Sequence, residues 1–406
     1  MKPRVALRGL FAAASLLALG ASADAAPPAG FEQRVEQLRK DIGVPGVSIA
    51  IVEDGKVTLA HGWGVRDIST NTPVDADTIF FTGSTGKAFT NAALATLVDE
   101  GKIGWDDKVI DHMPDFRMYD PWVTREMTIR DLLVHRSGLG LGQGDLLFLP
   151  NSTLSRKETV RRIRYLKPAT SFRSGYAYDN ILYMAAGQLI EEVSGKTWER
   201  YIHDHVFGPL GMKNSTDTDR DFQANPNHAR PHSRNDGPIH GMGTQAPLDE
   251  NATISQNAAP AGGLAISAND MSRWLLTQLA RGKIPGSDKR LFSQEQSEQM
   301  WTGVVITPVP QYPAEFAAAQ PHYDLYALGW ACPIIAARRL SGTMVPCSGR
   351  RRLSPCYRGR MSGSSLPPTA RTARLSGACY SSCSTIISAT PRLSGPRSGA
   401  RSSWHG

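Results

Sequence analysis

The chain has 406 residues, 41% hydrophobic and 20% charged, with 38 Gly and 27 Pro. That composition excludes a collagenous, wholly disordered or polytopic membrane protein, and the length excludes a solitary small binding module. The net charge of +8 points to an anionic partner until the charges are located: residues 331–406 hold 12 Arg, no Lys and no acidic residue, so the first 330 carry 33 basic against 37 acidic side chains.

The cysteines divide the same way. Cys332, Cys347, Cys356, Cys379 and Cys383 are all five of them. An odd set confined to one end, with no His at ligand spacing, is neither a disulfide framework nor a zinc pattern.

At the start, Lys2, Arg4 and Arg8 precede an apolar run from Leu10 to Leu19, and small residues follow from Ala21 to Ala25. This is the layout of a secretory signal peptide over residues 1–25, with cleavage expected after Ala23 or Ala25. The run is too short to cross about 30 Å of hydrocarbon comfortably, so no stable membrane anchor is expected after cleavage. Phe31, Val35, Leu38 and Ile42 then recur at helical spacing and predict an amphipathic helix ending at Gly43. Val47–Glu53 is β-branched, Asp54-Gly55 is a hairpin turn signal, and Lys56–Gly64 returns as the second strand. A helix followed by an antiparallel hairpin opens an α+β sheet and not a Rossmann unit.

Thr78–Lys87 carries the only S-x-x-K of the chain, Ser84 and Lys87, running into a helix that Gly101 stops. Three residues apart in the first helical turn, the two side chains share a face, and the ammonium can reach the hydroxyl. A serine hydroxyl is a weak nucleophile and needs such a neighbour. A helix-capping serine beside a solvated lysine has the same spacing. The only Y-x-N, Tyr178 and Asn180, precedes the apolar helical stretch Met184–Val193. A tyrosine near lysine can act as general base, and an asparagine amide can orient the lysine or bind a substrate amide, although an ordinary turn before a helix also holds such residues.

With these motifs in this order, the chain resembles the serine β-lactamase and penicillin-binding superfamily, and within it the class C β-lactamase type with its DD-peptidase, D-aminopeptidase and esterase relatives. The resemblance spans residues 31–330 and includes Thr128–Leu139, Val206–Met212, Pro260–Ser267 and Asp270–Trp274. It implies that Ser84 is acylated, Lys87 is its partner, Tyr178 the base and Asn180 a substrate and lysine contact. It also implies an α+β fold: an antiparallel sheet flanked by helices, a mostly helical inserted lobe, and the active site between them. The pattern of the chain agrees, with amphipathic stretches and few strands over about 111–245. The expected partner is a small-molecule or peptide substrate of an exported, periplasmic or secreted hydrolase, with no cofactor, metal or nucleic acid. His135 and Ser137 are read as structural, and His232 and His240 as solvated loop residues. Leu146–Pro150, in the loop 138–153, reads as an apolar wall of the cleft or as a helix contact.

The family pattern breaks after Tyr326-Ala-Leu-Gly-Trp330. A Lys-Thr-Gly or His-x-Gly motif should follow on a strand, and none does. Residues 331–406 instead repeat Arg-Leu-Ser-Gly at Arg339–Gly342, Arg374–Gly377 and Arg392–Gly395. Gly342-Thr-Met-Val345 is encoded GGN-ACN-ATG-GTN, which one nucleotide earlier can read His-x-Gly. Ser384–Ser388 in that frame can read Leu-Asp-Tyr-Tyr-Leu. A reading frame lost near Trp330 is therefore the expectation, leaving an aberrant, disordered tail and a domain of residues 27–330 without its last strands. Two rivals stand beside the hydrolase: a penicillin-binding protein that acylates without turnover, and a non-catalytic protein whose basic tail binds anionic polymer.

Overall fold

A computed structural model describes residues 27–234, 244–248 and 255–335, apart from 310, 313, 315, 316, 318 and 319, together with the backbone of 385–389. The expected leader, His240 and most of the tail lie outside the described residues.

Helix α1 spans Phe31–Ile42 and closes on Gly43, whose φ of 74° is the left-handed cap that glycine supplies. Strand β1 (Gly46–Glu53) turns through Asp54 and Gly55, with φ of 49° and 75°, into β2 (Lys56–Asp67). Both central residues are left-handed, as a tight twisted hairpin requires. The strands pair antiparallel, Ile49 opposite His61 and Ala50 opposite Ala60, and β3 (Thr72–Pro73) extends the far edge. Alternation gives β1 two buried faces. Val47, Ile49 and Ile51 join Val35 of α1, while Ala50 and Val52 face the main core.

The chain then passes β4 (Phe80–Phe81) and a 3₁₀ turn, Gly83–Gly86, into α2 (Lys87–Asp99). Every residue of α2 from Lys87 to Leu97 is buried, which makes it the central helix. Phe89 stacks on Trp274 at 3.8 Å between ring centroids and meets Phe207 edge-on. The lobe wraps this helix with α3 (Val109–His112), α4 (Pro121–Glu126), α5 (Ile129–Leu133), α6 (Arg156–Arg161), α7 (Ile181–Ser194), α8 (Trp198–Ile202), α9 (Gly208–Leu210) and α10 (Asp219–Ala224). Among the described residues from 111 to 247 the strands are the two-residue β5 (His232–Ser233) and β6 (Ala246–Pro247), and the insertion is mostly helical, as its pattern predicts.

After α11 (Ala259–Gly262), β7 (Ala265–Ile266) pairs antiparallel with β4, Phe80 opposite Ile266. Helix α12 (Ala268–Leu279) packs on β1 and β2, and α13 (Gln294–Trp301) leads to β8 (Val305–Thr307) and β9 (Pro321–Tyr326). The antiparallel sheet is divided among the described residues, because two-residue strands such as β4 and β7 cannot carry a ladder across to β1.

Beyond Trp330 the sequence reading has no strands, and here the structure differs. Strand β10 (Ile334–Ile335) pairs antiparallel with β9, and β11 (Thr385–Ala389) runs parallel to β1 with Thr385 opposite Ser48. Thr385-Ile-Ile is the one closely β-branched run of the tail, and β1 offers it a ladder edge that β2 leaves open.

Candidate active site

Ser84 sits in the 3₁₀ turn ahead of α2 and not in the helix itself. Glycines allow the close packing that sets this turn. A Cβ on Gly262 would fall 2.7 Å from the Gly83 carbonyl, so α11 lies directly against the turn. Thr82 locks the same junction, its amide donating to the Leu264 carbonyl at 2.8 Å. Ser84 is left exposed, while Lys87, one turn on, is fully buried. A capping serine with a solvated lysine does not fit that arrangement.

The Ser84 hydroxyl lies 2.6 Å from the Tyr178 hydroxyl and 3.2 Å from Lys87 Nζ. Lys87 Nζ also reaches Tyr178 Oη, Asn180 Oδ1 and the Ala261 carbonyl, each at 2.9 Å. Four acceptors surround a group that carries three protons as an ammonium. Asn180 Oδ1 and the Ala261 carbonyl can only accept, so they fix two protons. The third lies between the two hydroxyls. As an amine, Lys87 would aim its lone pair into that same gap. In either state Lys87 and Tyr178 form one proton-accepting unit facing the Ser84 hydroxyl, which is what activating a serine needs.

Buried hydrogen bonds carry Tyr178 to this position. The Ala177 amide donates to the His135 carbonyl and the Arg173 amide to the Arg136 carbonyl, both at 2.7 Å. Asp131 clamps both segments from below: it accepts from Arg136 and from Arg173 at 2.6 Å each, and it closes a capping box with Thr128. Burial alone would raise the Asp131 carboxyl, but the bonds from Arg173 and Thr128 and the Arg136 charge hold it below its ordinary range. A depressed carboxyl contributes stability that is present above its unfolded value and lost as pH falls through the folded one. Removing it strands two guanidinium groups, so Asp131→Ala should cost about 3 kcal/mol. The check is denaturant unfolding, in which the gap between wild type and variant should narrow below pH 4.

His135 and Ser137 both lie within this support. His135 is buried at a φ of 56°, its Nδ1 accepts from the Asp179 amide at 3.3 Å, and its ring packs on Tyr178 at 4.3 Å. Burial pushes its pKa down, Asp179 draws it part of the way back up, and the Lys87 charge lowers it further, for a net shift below the ordinary histidine value. Ser137 donates to Asp179 at 3.3 Å, and Asp179 accepts from the Leu182 amide at the start of α7. Neither reaches Ser84. His232 corrects the expectation of a solvated loop residue. It is fully buried on β5, where the Ile68 amide donates to its Nε2 at 3.2 Å, because the polar loop folds back onto the end of β2. The 138–153 loop divides: Leu146 is 86% exposed, whereas Phe148 joins the core.

Sequence reasoning missed two parts of the site. The Ala261 carbonyl is invisible to residue identity. Tyr183 lies beneath Lys87, its ring centroid 5.1 Å from Nζ and its hydroxyl donating to the Leu133 carbonyl at 2.7 Å. Its position three residues past Asn180, on the same helical face, was the available signal.

A serine whose hydroxyl meets a buried lysine and a tyrosine has the make-up of a serine hydrolase that works through an acyl-enzyme. The sequence profile of the Beta-lactamase family matches residues 31–331, and the chain belongs to that family. Its members are serine hydrolases of the β-lactamase and penicillin-binding type. Among curated relatives, unguisins hydrolase ungD of Aspergillus violaceofuscus is 32% identical over 46% of this chain and 34% of its own length. Protein flp of Staphylococcus aureus is 26% identical over 71% and 52%, and penicillin-binding protein 4 of Amycolatopsis lactamdurans 28% over 65% and 67%. The chain thus spans about a third of the first relative and about half of the second. The structure is similar to that of the octameric penicillin-binding protein homologue from Pyrococcus abyssi, with a TM-score of 0.60, 25% identity, and coverage of 74% of this chain and 64% of that one.

Proposed function

We propose that the chain is an exported serine hydrolase of the class C β-lactamase type, which attacks a β-lactam, a D-amino acid peptide or an ester through Ser84. Lys87 and Tyr178 take the hydroxyl proton as the Ser84 oxygen bonds to the substrate carbonyl carbon, and the tyrosine then returns it to the leaving group. Asn180 holds Lys87 and offers its amide to the substrate. The observation that carries this reading is the 2.6 Å contact between Ser84 and Tyr178, with Lys87 Nζ within 3.2 Å of both. Export rests on the leader-like residues 1–25, and the expected partner remains a small molecule or peptide.

A second reading, acylation without turnover, is favoured by one sequence observation: no Lys-Thr-Gly or His-x-Gly follows Trp330. That motif supplies a strand amide for the oxyanion, whose loss commonly costs about 10²–10³ in rate. Stopped-flow assays with nitrocefin, a D-Ala-D-Ala peptide and p-nitrophenyl butyrate separate the two. Steady turnover of any one supports the hydrolase. A stoichiometric burst followed by a flat trace supports the second reading, and no burst with any of the three contradicts both. Resequencing the coding DNA should reveal a one-nucleotide correction near the Trp330 codon, and the corrected chain should turn over faster than this one.

A further inference from the structure

We propose that Tyr183 is a positioning residue, whose ring face holds the Lys87 side chain beneath Ser84 and stands in for a carboxylate counter-ion when the Ser84 proton arrives. The inference rests on the reading of Ser84 as the nucleophile. Tyr183 lies in the first turn of α7, three residues past Asn180 and therefore on the same helical face. Helix α7 packs on α2, and Lys87 Nζ lies over the Tyr183 ring, 5.1 Å from its centroid. The Tyr183 hydroxyl is engaged elsewhere: it donates to the Leu133 carbonyl at 2.7 Å and accepts from Asn91 Nδ2 at 3.3 Å. Tyr178 meets Nζ through its hydroxyl, at 2.9 Å, whereas Tyr183 offers only its ring.

Lys87 needs such a partner. The side chain is fully buried, and among the described residues no carboxylate forms an ion pair with it. Asp179, beside Tyr178 in the chain, is engaged by Ser137 and by the Leu182 amide. A buried cation with no counter-ion is strongly unfavourable. The oxygens around Nζ belong to two hydroxyls, an amide and a backbone carbonyl. A ring face within about 6 Å adds the attraction that a counter-ion would otherwise give. Tyr183 does so as a phenol: burial pushes its pKa well above the ordinary tyrosine value, Asn91 and Tyr326 draw it part of the way back, and Tyr178 and Asp179 add to the rise.

Proton transfer makes the contact consequential. As the Ser84 O–H bond breaks and the oxygen bonds to the electrophile, the proton passes to the unit formed by Lys87 and Tyr178. Whether that unit starts as amine and phenol or as ammonium and phenolate, it ends as ammonium and phenol, one charge more positive. The negative face of a ring under Nζ stabilises the end state more than the start, so it lowers the barrier in both cases. Fluorine in place of ring hydrogen withdraws electron density from that face and changes the size of the ring little. Packing is therefore nearly blind to fluorination, and the proposed role is not.

The test is the rate at which a fluorophosphonate labels Ser84, with kcat and KM on p-nitrophenyl butyrate alongside. Tyr183→Leu should slow labelling about tenfold or more, the worth of a desolvated contact between cation and ring, and lower kcat more than it changes KM. Tyr183→Phe keeps the ring and should recover most of that loss. Across mono-, di- and trifluorinated phenylalanine at position 183, labelling should slow with each added fluorine. A flat or rising series, or a Tyr183→Leu protein that labels at the wild-type rate, overturns the proposal. So does a folded Tyr183→Phe protein as slow as Tyr183→Leu, which would assign the effect to the hydroxyl. Should Tyr183→Phe fail to fold, fluorotyrosine at position 183 keeps the hydroxyl and decides alone: labelling slower than wild type is expected, and an equal rate overturns the proposal. A wild-type protein that no probe labels at Ser84 fails earlier, at the reading of the nucleophile, and takes this inference with it.

Discussion

Ser84→Ala should abolish covalent labelling by penicillin and fluorophosphonate probes and lower turnover on any accepted substrate by about 10⁴-fold or more. The expectation follows from position as much as from residue type. Ser84 is exposed at the end of a rigid turn that Gly83 and Gly262 allow to pack against α11, while its hydroxyl meets Tyr178 and Lys87. No second serine among the described residues meets both partners. Stability should change little, because the Ser84 side chain caps no helix: the position next to α2 belongs to Gly86. The variant should therefore unfold at the same denaturant midpoint as wild type. Loss of labelling with loss of fold would show only that the turn had collapsed, so both measurements are needed.

Tyr178→Phe should lower kcat by about 10²–10⁴-fold, the usual worth of a general base, which at 25 °C is about 3–5 kcal/mol of barrier. Only a hydroxyl is lost, and the ring contact with His135 at 4.3 Å is kept. Lys87 would still hold Asn180 and the Ala261 carbonyl, so the lysine should stay in place while the proton loses its route. KM should move less than kcat. If the variant is active but unfolds at lower denaturant, Tyr178 is a packing residue and its role here is wrong.

Much of this was legible in the chain because local chemistry and fold agree. Asp54-Gly55 forces a hairpin whatever surrounds it, and Gly43 stops α1, so the opening α+β unit follows from residue types. Ser84, Lys87, Tyr178 and Asn180 stood out because each motif occurs once. What their neighbours do was not legible. Asp131 reads as an ordinary early-helix acid, yet it joins Arg136 and Arg173, which lie 5 and 42 residues away. The Ala261 carbonyl reaches Lys87 across 174 residues with no side chain to announce it. His232 reads as solvated because it sits in a polar stretch rich in Asn, Pro and Gly, and only its packing against the end of β2 buries it. Residues 385–389 read as part of an unstructured tail because strand pairing depends on a partner, β1, more than 330 residues earlier.

The central claim is that one serine, Ser84, takes the acyl or phosphonyl group. Intact-protein mass spectrometry after fluorophosphonate treatment, followed by peptide mapping, tests it most directly. A single adduct on Ser84, lost in Ser84→Ala and strongly slowed in Lys87→Ala, is the predicted result; a folded protein that carries its adduct on Ser137, or carries none, would contradict it.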